Sequence, residues 1–296
     1  SNNELIAKIL SHKHKINNKF IFYIENQEID TSKIFNLKKI NDLKINVYHT
    51  NDAEIIYDNT NRRIIINQLK NTSRVIFFNG ILENVDIEFN GIEKTNLIED
   101  TNIELKNTFT GCITFENVEF KNVSIISKQG KCEDSINVIN SSGEIDLIKS
   151  YNAFSDAIDF DFSNIIIKKI IVEDAINDCV DLSYGKYEIN YMNLDGCGDK
   201  ALSIGESSKL INEIVKISNS NFGISTKDSS YSNFNFVEIE NVNTCISSYN
   251  KKQEFDGAIS KINNIKCNNF QLAYHYDDMS KIQIISEELS KGLKSK

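Results

Sequence analysis

The sequence predicts an all-β fold: a single-stranded right-handed parallel β-helix of about 22 residues per coil, with an N-terminal capping helix. Three observations carry this. A small residue followed by an apolar alternation recurs at Ser135, Ala157, Cys179, Ala201, Gly223, Cys245 and Gln271, in steps of 22, 22, 22, 22, 22 and 26 residues. The first and third residues after each of these anchors are mostly apolar, the period of a strand with one buried face. The chain also has 12 Gly, no Pro and abundant Asn, so its turns fall to Asn and Asp, which tolerate left-handed backbone.

The alternation sets the inward residues of each coil: Ile136 and Val138, Ile158 and Phe160, Val180 and Leu182, Leu202 and Ile204, then Ile224 with Thr226, Ile246 with Ser248, and Leu272 with Tyr274. A second alternation follows about ten residues later, as in Ile165 and Ile167 or Phe234 and Phe236, and a third cluster such as Ile170 and Val172 closes the unit. Three short strands joined by polar turns suit a coil stacked directly on its neighbour. "CITFENVEFKNVSI" and "VIFFNGILENVDIEF" extend the texture toward residue 40 in looser register. At the start, Leu5, Ile6, Ile9 and Leu10 stand at helical spacing behind an Asn, which predicts a helix covering the open end of the stack. The expected organisation is a cap over 1–40, the β-helix over 41–285, and a tail or second cap over 286–296.

A net charge of −9 argues against a nucleic-acid partner, since phosphate-binding domains carry a basic excess. No apolar run approaches the roughly 20 residues of a membrane-spanning helix. The chain opens on "SNNELIAKIL" without an initiator Met and reads as a processed form or part of something longer, so its start leaves localisation open. The six cysteines could in arithmetic pair as three disulfides; they have no CxxC spacing and no nearby His, which argues against zinc, and the preferred reading is small apolar filler in a reduced core.

With its register laid out, the repeat resembles the superfamily of pectate lyases, polygalacturonases and polysaccharide C5-epimerases. The runs "DKALSIGESSKL", "FGISTKDSSYSN" and "SSYNKKQEFDGA" resemble, more closely, β-helix modules found beside CotH-like domains in bacterial proteins. The resemblance implies a carbohydrate-active protein with catalytic aspartates on one strand face of neighbouring coils. The family's adjacent Asp pair after a Gly is present only as Gly198, Asp199 and Lys200.

If the first and third positions point inward, the anchor and the second and fourth positions point outward, forming a shallow groove floored by small residues. On that face the stretch "SDAIDFDFSN" places Asp159 and Asp161, and the next coil places Asp181 opposite Asp159. Stacked strands lie about 4.8 Å apart, so Asp161 falls about 8 Å from Asp181 on the diagonal. That separation suits an acid and base flanking a water in an inverting glycosidase. The same clustering of oxygens gives Asp159 and Asp181 a second reading as Ca²⁺ ligands, the one cofactor the sequence suggests. Asp134, Asp156 and Asp178, just before each strand, read as turn-capping residues.

Glu206, Lys227, Tyr249 and Lys251 are the expected substrate-binding residues. Glu206 follows a strand of this face, and Lys227 with Asp228 occupies the matching turn one coil further. Tyr249 and Lys251 flank the longer 26-residue step, whose extra residues would wall the groove. The expected partner is a polysaccharide or oligosaccharide, which the protein binds and cleaves or epimerises. The alternative is a non-catalytic glycan-binding or surface-interaction module of a larger bacterial protein. A long flat side also suits a homo-oligomer.

Overall fold

The computed structural model describes residues 22–24, 27–29, 35–40, 42–92 and 109–291. The expected capping helix around Leu5 to Leu10 lies outside them. Among the described residues there is no helix, and the chain forms a β-solenoid of about 10 turns.

Coils pair in parallel at the 22-residue step: Ile136 opposes Ile158, Ile158 opposes Val180, Val180 opposes Leu202, and Leu202 opposes Ile224. From Asp134 to Gly205 each coil has two strands rather than three, and from Lys209 to Tyr276 each coil is one long bent strand. The second and third alternations belong to one bent strand, such as Asn164–Ala175, which turns where Lys168 and Lys169 are exposed in succession. Two adjacent outward residues shift the alternation by one, so both limbs keep their apolar side inward.

The inward residues form one continuous core running along the axis. Val138, Ile158, Phe160, Leu182 and Ile204 are fully buried, and Phe77 stacks on Phe115 at 5.0 Å. Toward the C-terminal end the core becomes polar. Thr226, Ser232, Ser248 and Ser260 point inward and hydrogen-bond one another at 2.7 to 3.3 Å, so the hydroxyls that replace aliphatic residues are satisfied.

The corners follow from stacking. Asn219, Asn241 and Asn269 each sit at positive φ, and their side chains form a ladder, Asn241 to Asn219 at 3.1 Å and Asn269 to Asn241 at 2.6 Å. At another corner, serines close the backbone: Ser163 Oγ accepts the Ser141 N–H, and Ser230 Oγ accepts the Ser208 N–H.

The N-terminal end is not a regular continuation of the coils. Lys44–His49 runs antiparallel to Val75–Glu83, and Ala53–Asp58 runs antiparallel to Arg63–Gln68. These strands cover the edges that the first coil would otherwise leave unpaired. At the other end, Lys281–Ser290 is one strand, so residues 286–290 belong to the last coil rather than to a separate tail.

Three expectations are corrected. The last step is 28 residues, not 26, because Ile246 opposes Tyr274 and Ser248 opposes Tyr276; the anchor is Ala273, and Leu272 stands exposed opposite Thr244. The anchors themselves do not line a groove: Ala157, Cys179, Ala201 and Cys245 are fully buried in the core. The strand begins at a corner, where two consecutive residues face inward.

The third correction concerns the cysteines, which are paired: Cys112–Cys132, Cys179–Cys197 and Cys245–Cys267. Their separations of 20, 18 and 22 residues each approximate one coil, which brings an anchor beside the return limb of the chain. Replacing Cys179 and Cys197 together by Ala should cost about 3 kcal/mol of stability, as expected for closing a loop of that length. Denaturant unfolding of the double variant checks this, and an unchanged midpoint would show that stacking alone holds the coil.

Candidate functional site

The outer face of the short strands carries three columns of side chains, each built by the 22-residue register. The first, at the edge, holds Asp134, Asp156, Asp178 and Lys200. Asp156 Oδ1 accepts the Asp178 N–H at 2.8 Å, and Asp178 Oδ1 accepts the Lys200 N–H at 2.8 Å. These two carboxylates therefore cap the turn of the next coil, as their position before the strand suggests. Lys200 adds an ion pair to Asp178 at 3.6 Å and a closer one to Asp199.

The middle column runs Asn137, Asp159, Asp181, Ser203, Ser225, Ser247 and His275. The third runs Ile139, Asp161, Ser183 and Gly205, and Lys227 opposes Tyr249 further along it. Asp159 and Asp161 leave the same strand on the same side, and Asp181 stands directly across from Asp159. The three expected carboxyls are thus brought together, each partly accessible.

Their charges conflict. Burial, then Asp161 and Asp134, push the Asp159 carboxyl well above the usual range. Burial, then Asp181 and Glu206, push Asp161 to about 7. Asp159 and Asp161 thus form a pair that resists joint ionisation, with Asp181 as its neighbour in the next coil. Burial is likewise the first cause raising Asp134, Asp156 and Asp178 to about 6.

The expected binding residues divide. Glu206 joins the site: its Oε2 accepts from Ser183 Oγ and its Oε1 pairs with Lys252 Nζ, both at 2.5 Å. Burial pushes Glu206 up, but the bonds from Lys252 and Ser183 outweigh it and hold the carboxyl below its usual value. Lys227 lies almost wholly buried along the third column, with its Cε next to Gly205 where a side chain would crowd it. Tyr249 is partly buried, edge-on to His275 at 5.8 Å, and raised by burial against the opposing pull of Lys227 and Lys200. Lys251 is exposed and contributes only its backbone N–H, to Asp228 Oδ1 at 2.6 Å. Its neighbour Lys252 is the residue that turns its ammonium onto the face.

The insertion after Tyr249 does form a wall, and it folds back over earlier coils. Asp228 Oδ1 takes the N–H groups of Lys251 and Lys252, and Asn250 donates to the carbonyls of Phe255 and Asp256. This carries Lys252 to Glu206, and Phe255 to within 6.1 Å of Tyr184. Tyr184 in turn stacks on Phe162, with ring centroids 4.6 Å apart and planes 4° apart. The rings of Phe162, Tyr184 and Phe255 flank the carboxyl cluster on the side of Asp161.

Phe162 and Tyr184 were not among the sequence candidates. Their signal is the same 22-residue step, one position beyond the strand, in a column of left-handed turn residues that also contains Glu206 and Asp228. Among the described residues, no three His, Cys, Asp or Glu side chains are grouped in a way that would hold a metal ion. No protein-family model, curated protein or solved structure matches the chain.

The raised carboxyls make stability depend on pH with a definite sign. A carboxyl whose folded pKa exceeds its unfolded value near 4 binds more protons in the native state. Its contribution is complete below pH about 4 and is lost as pH rises through the folded values of about 6 to 7. The melting temperature should therefore fall between pH 5 and 8. Asp161→Asn should flatten that fall and raise stability at pH 8. Thermal unfolding across this range checks both, and a profile that rises over the interval would refute the assignment.

Proposed function

We propose that the protein is a carbohydrate-active β-solenoid that binds a polysaccharide along this face and cleaves or epimerises it with the Asp159, Asp161 and Asp181 cluster. One observation carries the reading: two carboxyls of one strand, with Asp181 across from them in the next coil, are raised well above the usual range beside a stacked aromatic pair. Aromatic faces pack against the apolar faces of sugar rings, and titratable carboxyls supply acid and base. In this reading Asp161, with a pKa of about 7, delivers a proton to the departing oxygen. Asp181, whose Oδ1 is buried without a hydrogen-bond partner, acts as the base.

The resemblance of the repeat to polysaccharide lyases, polygalacturonases and epimerases supports the same class of substrate. We take the coil as right-handed, since about 98% of parallel strand crossovers have that hand. Three buried cystines suit an oxidising setting outside the cytoplasm, where polysaccharides of surfaces and matrices are found.

Asp161→Asn and Asp181→Asn should each lower turnover by about 10²- to 10⁴-fold without loss of folding. Reducing-end release, unsaturated-product absorbance and proton NMR of a polysaccharide panel cover the three reactions. Turnover that survives both substitutions would reject the assignment. A non-catalytic binding module is the second reading, favoured by the internal pairing of Glu206 with Lys252 and of Lys200 with Asp178. Glycan binding without turnover in the same panel would select it.

A further inference from the structure

The middle column has a surplus of hydrogen-bond acceptors. Asn137 Oδ1, Asp181 Oδ1 and Ser203 Oγ are all buried with no partner, and all belong to the run Asn137, Asp159, Asp181, Ser203. Ser203 is fully buried although its strand position directs it to the outer face beside Asp181. Unpaired buried polar atoms are uncommon, and each is costly unless something satisfies it. The nitrogen donors nearby are already committed, and the Ser203 hydroxyl brings one donor with two acceptor lone pairs of its own. Asn137 Nδ2 donates to Asp134 at 3.3 Å and Asp159 at 3.1 Å, Lys252 is held by Glu206, and Lys200 by Asp178 and Asp199. Among the described residues no Lys, Arg or His forms an ion pair with Asp159, Asp161 or Asp181.

A group that brings only donors and a positive charge answers both deficits. An ammonium has three N–H donors and no acceptor. A neutral sugar hydroxyl brings an acceptor with each donor, and a uronate brings further negative charge. The aromatic rings of Phe162 and Tyr184 border the same spot, and ring faces attract cations as well as sugar rings. Resting on the carbohydrate reading above, we propose that the ligand of this face is an amino-sugar polymer, with a protonated amine seated over Asp159, Asp161 and Asp181 and within reach of Ser203.

Binding of a cation to carboxyls that hold protons must release those protons, which gives the proposal a signature that a neutral ligand lacks. The test is calorimetry of the full chain in EDTA at pH 5.5, where the amines are already protonated, in two buffers of different protonation enthalpy. The ligands are a glucosamine hexamer, its N-acetylated counterpart and a galacturonate hexamer. The glucosamine hexamer should bind at least 10-fold more tightly than the N-acetylated one, with net proton release, and the galacturonate hexamer should bind most weakly.

The preference should fall to under 3-fold in an Asp161→Asn, Asp181→Asn variant whose folding is verified by thermal unfolding. A preference that persists in that variant would be general attraction to an acidic protein and would overturn the proposal. Equal binding of the glucosamine and N-acetylated hexamers, or tighter binding of galacturonate, overturns the amine assignment and leaves the carbohydrate reading standing. Absence of binding by all three, and by the wider polysaccharide panel, overturns both.

Discussion

The outer face of the coils is governed by in-register parallel stacking. From Asp134 to Tyr249 the step on this face is 22 residues, so each side chain lies beside its equivalent in the next coil, at the strand spacing of about 4.8 Å. Stacking like on like is harmless for aliphatic residues inside and useful for asparagines at the corners, which hydrogen-bond along the axis. It brings aromatic residues into face-to-face contact, as with Phe162 and Tyr184. For carboxyls it is unfavourable, because the geometry that makes an asparagine ladder also sets Asp159 opposite Asp181. The protein meets this conflict by holding protons on the cluster rather than by placing lysines within it.

The periodicity makes most of the architecture legible. Six strands of the outer face, their inward residues and the juxtaposition of the three aspartates all follow from counting by 22. What counting misses has physical causes. The anchors look like outward residues under strict alternation, but a corner sets two successive residues inward and buries Ala157 and Ala201. The final step was undercounted because Leu272 and Tyr274 alternate as well as Tyr274 and Tyr276 do, and apolar pattern alone cannot choose between registers two residues apart. Cysteine separations of 18 to 22 residues match one coil, so the disulfides were within reach of the same arithmetic once the solenoid was assumed.

The antiparallel N-terminal strands carry no such repeat, and nothing in their local sequence reports that they close the edges of the first coil. The wall loop is intermediate. Its position was legible as a break in the period, whereas its direction depends on Asp228 capturing two backbone N–H groups, a contact made across coils. That capture decides that Lys252 rather than Lys251 faces the carboxyls. The site therefore has two origins: a floor written in the repeat, and a wall that exists only because the repeat is interrupted.

The central claim is that burial within the stacked coils, with like charges beside them, makes Asp159 and Asp161 keep protons toward neutral pH. Carbon-13 NMR titration of the aspartate side-chain carboxyls, assigned through Asp159→Asn, Asp161→Asn and Asp181→Asn variants, measures this directly. The account predicts that the Asp161 resonance titrates near pH 7 and that the Asp159 resonance titrates well above the usual aspartate range. If Asp159 and Asp161 both titrate near pH 4 like carboxyls of an unfolded chain, the fold does not perturb them and the site has no charge conflict for a ligand to resolve.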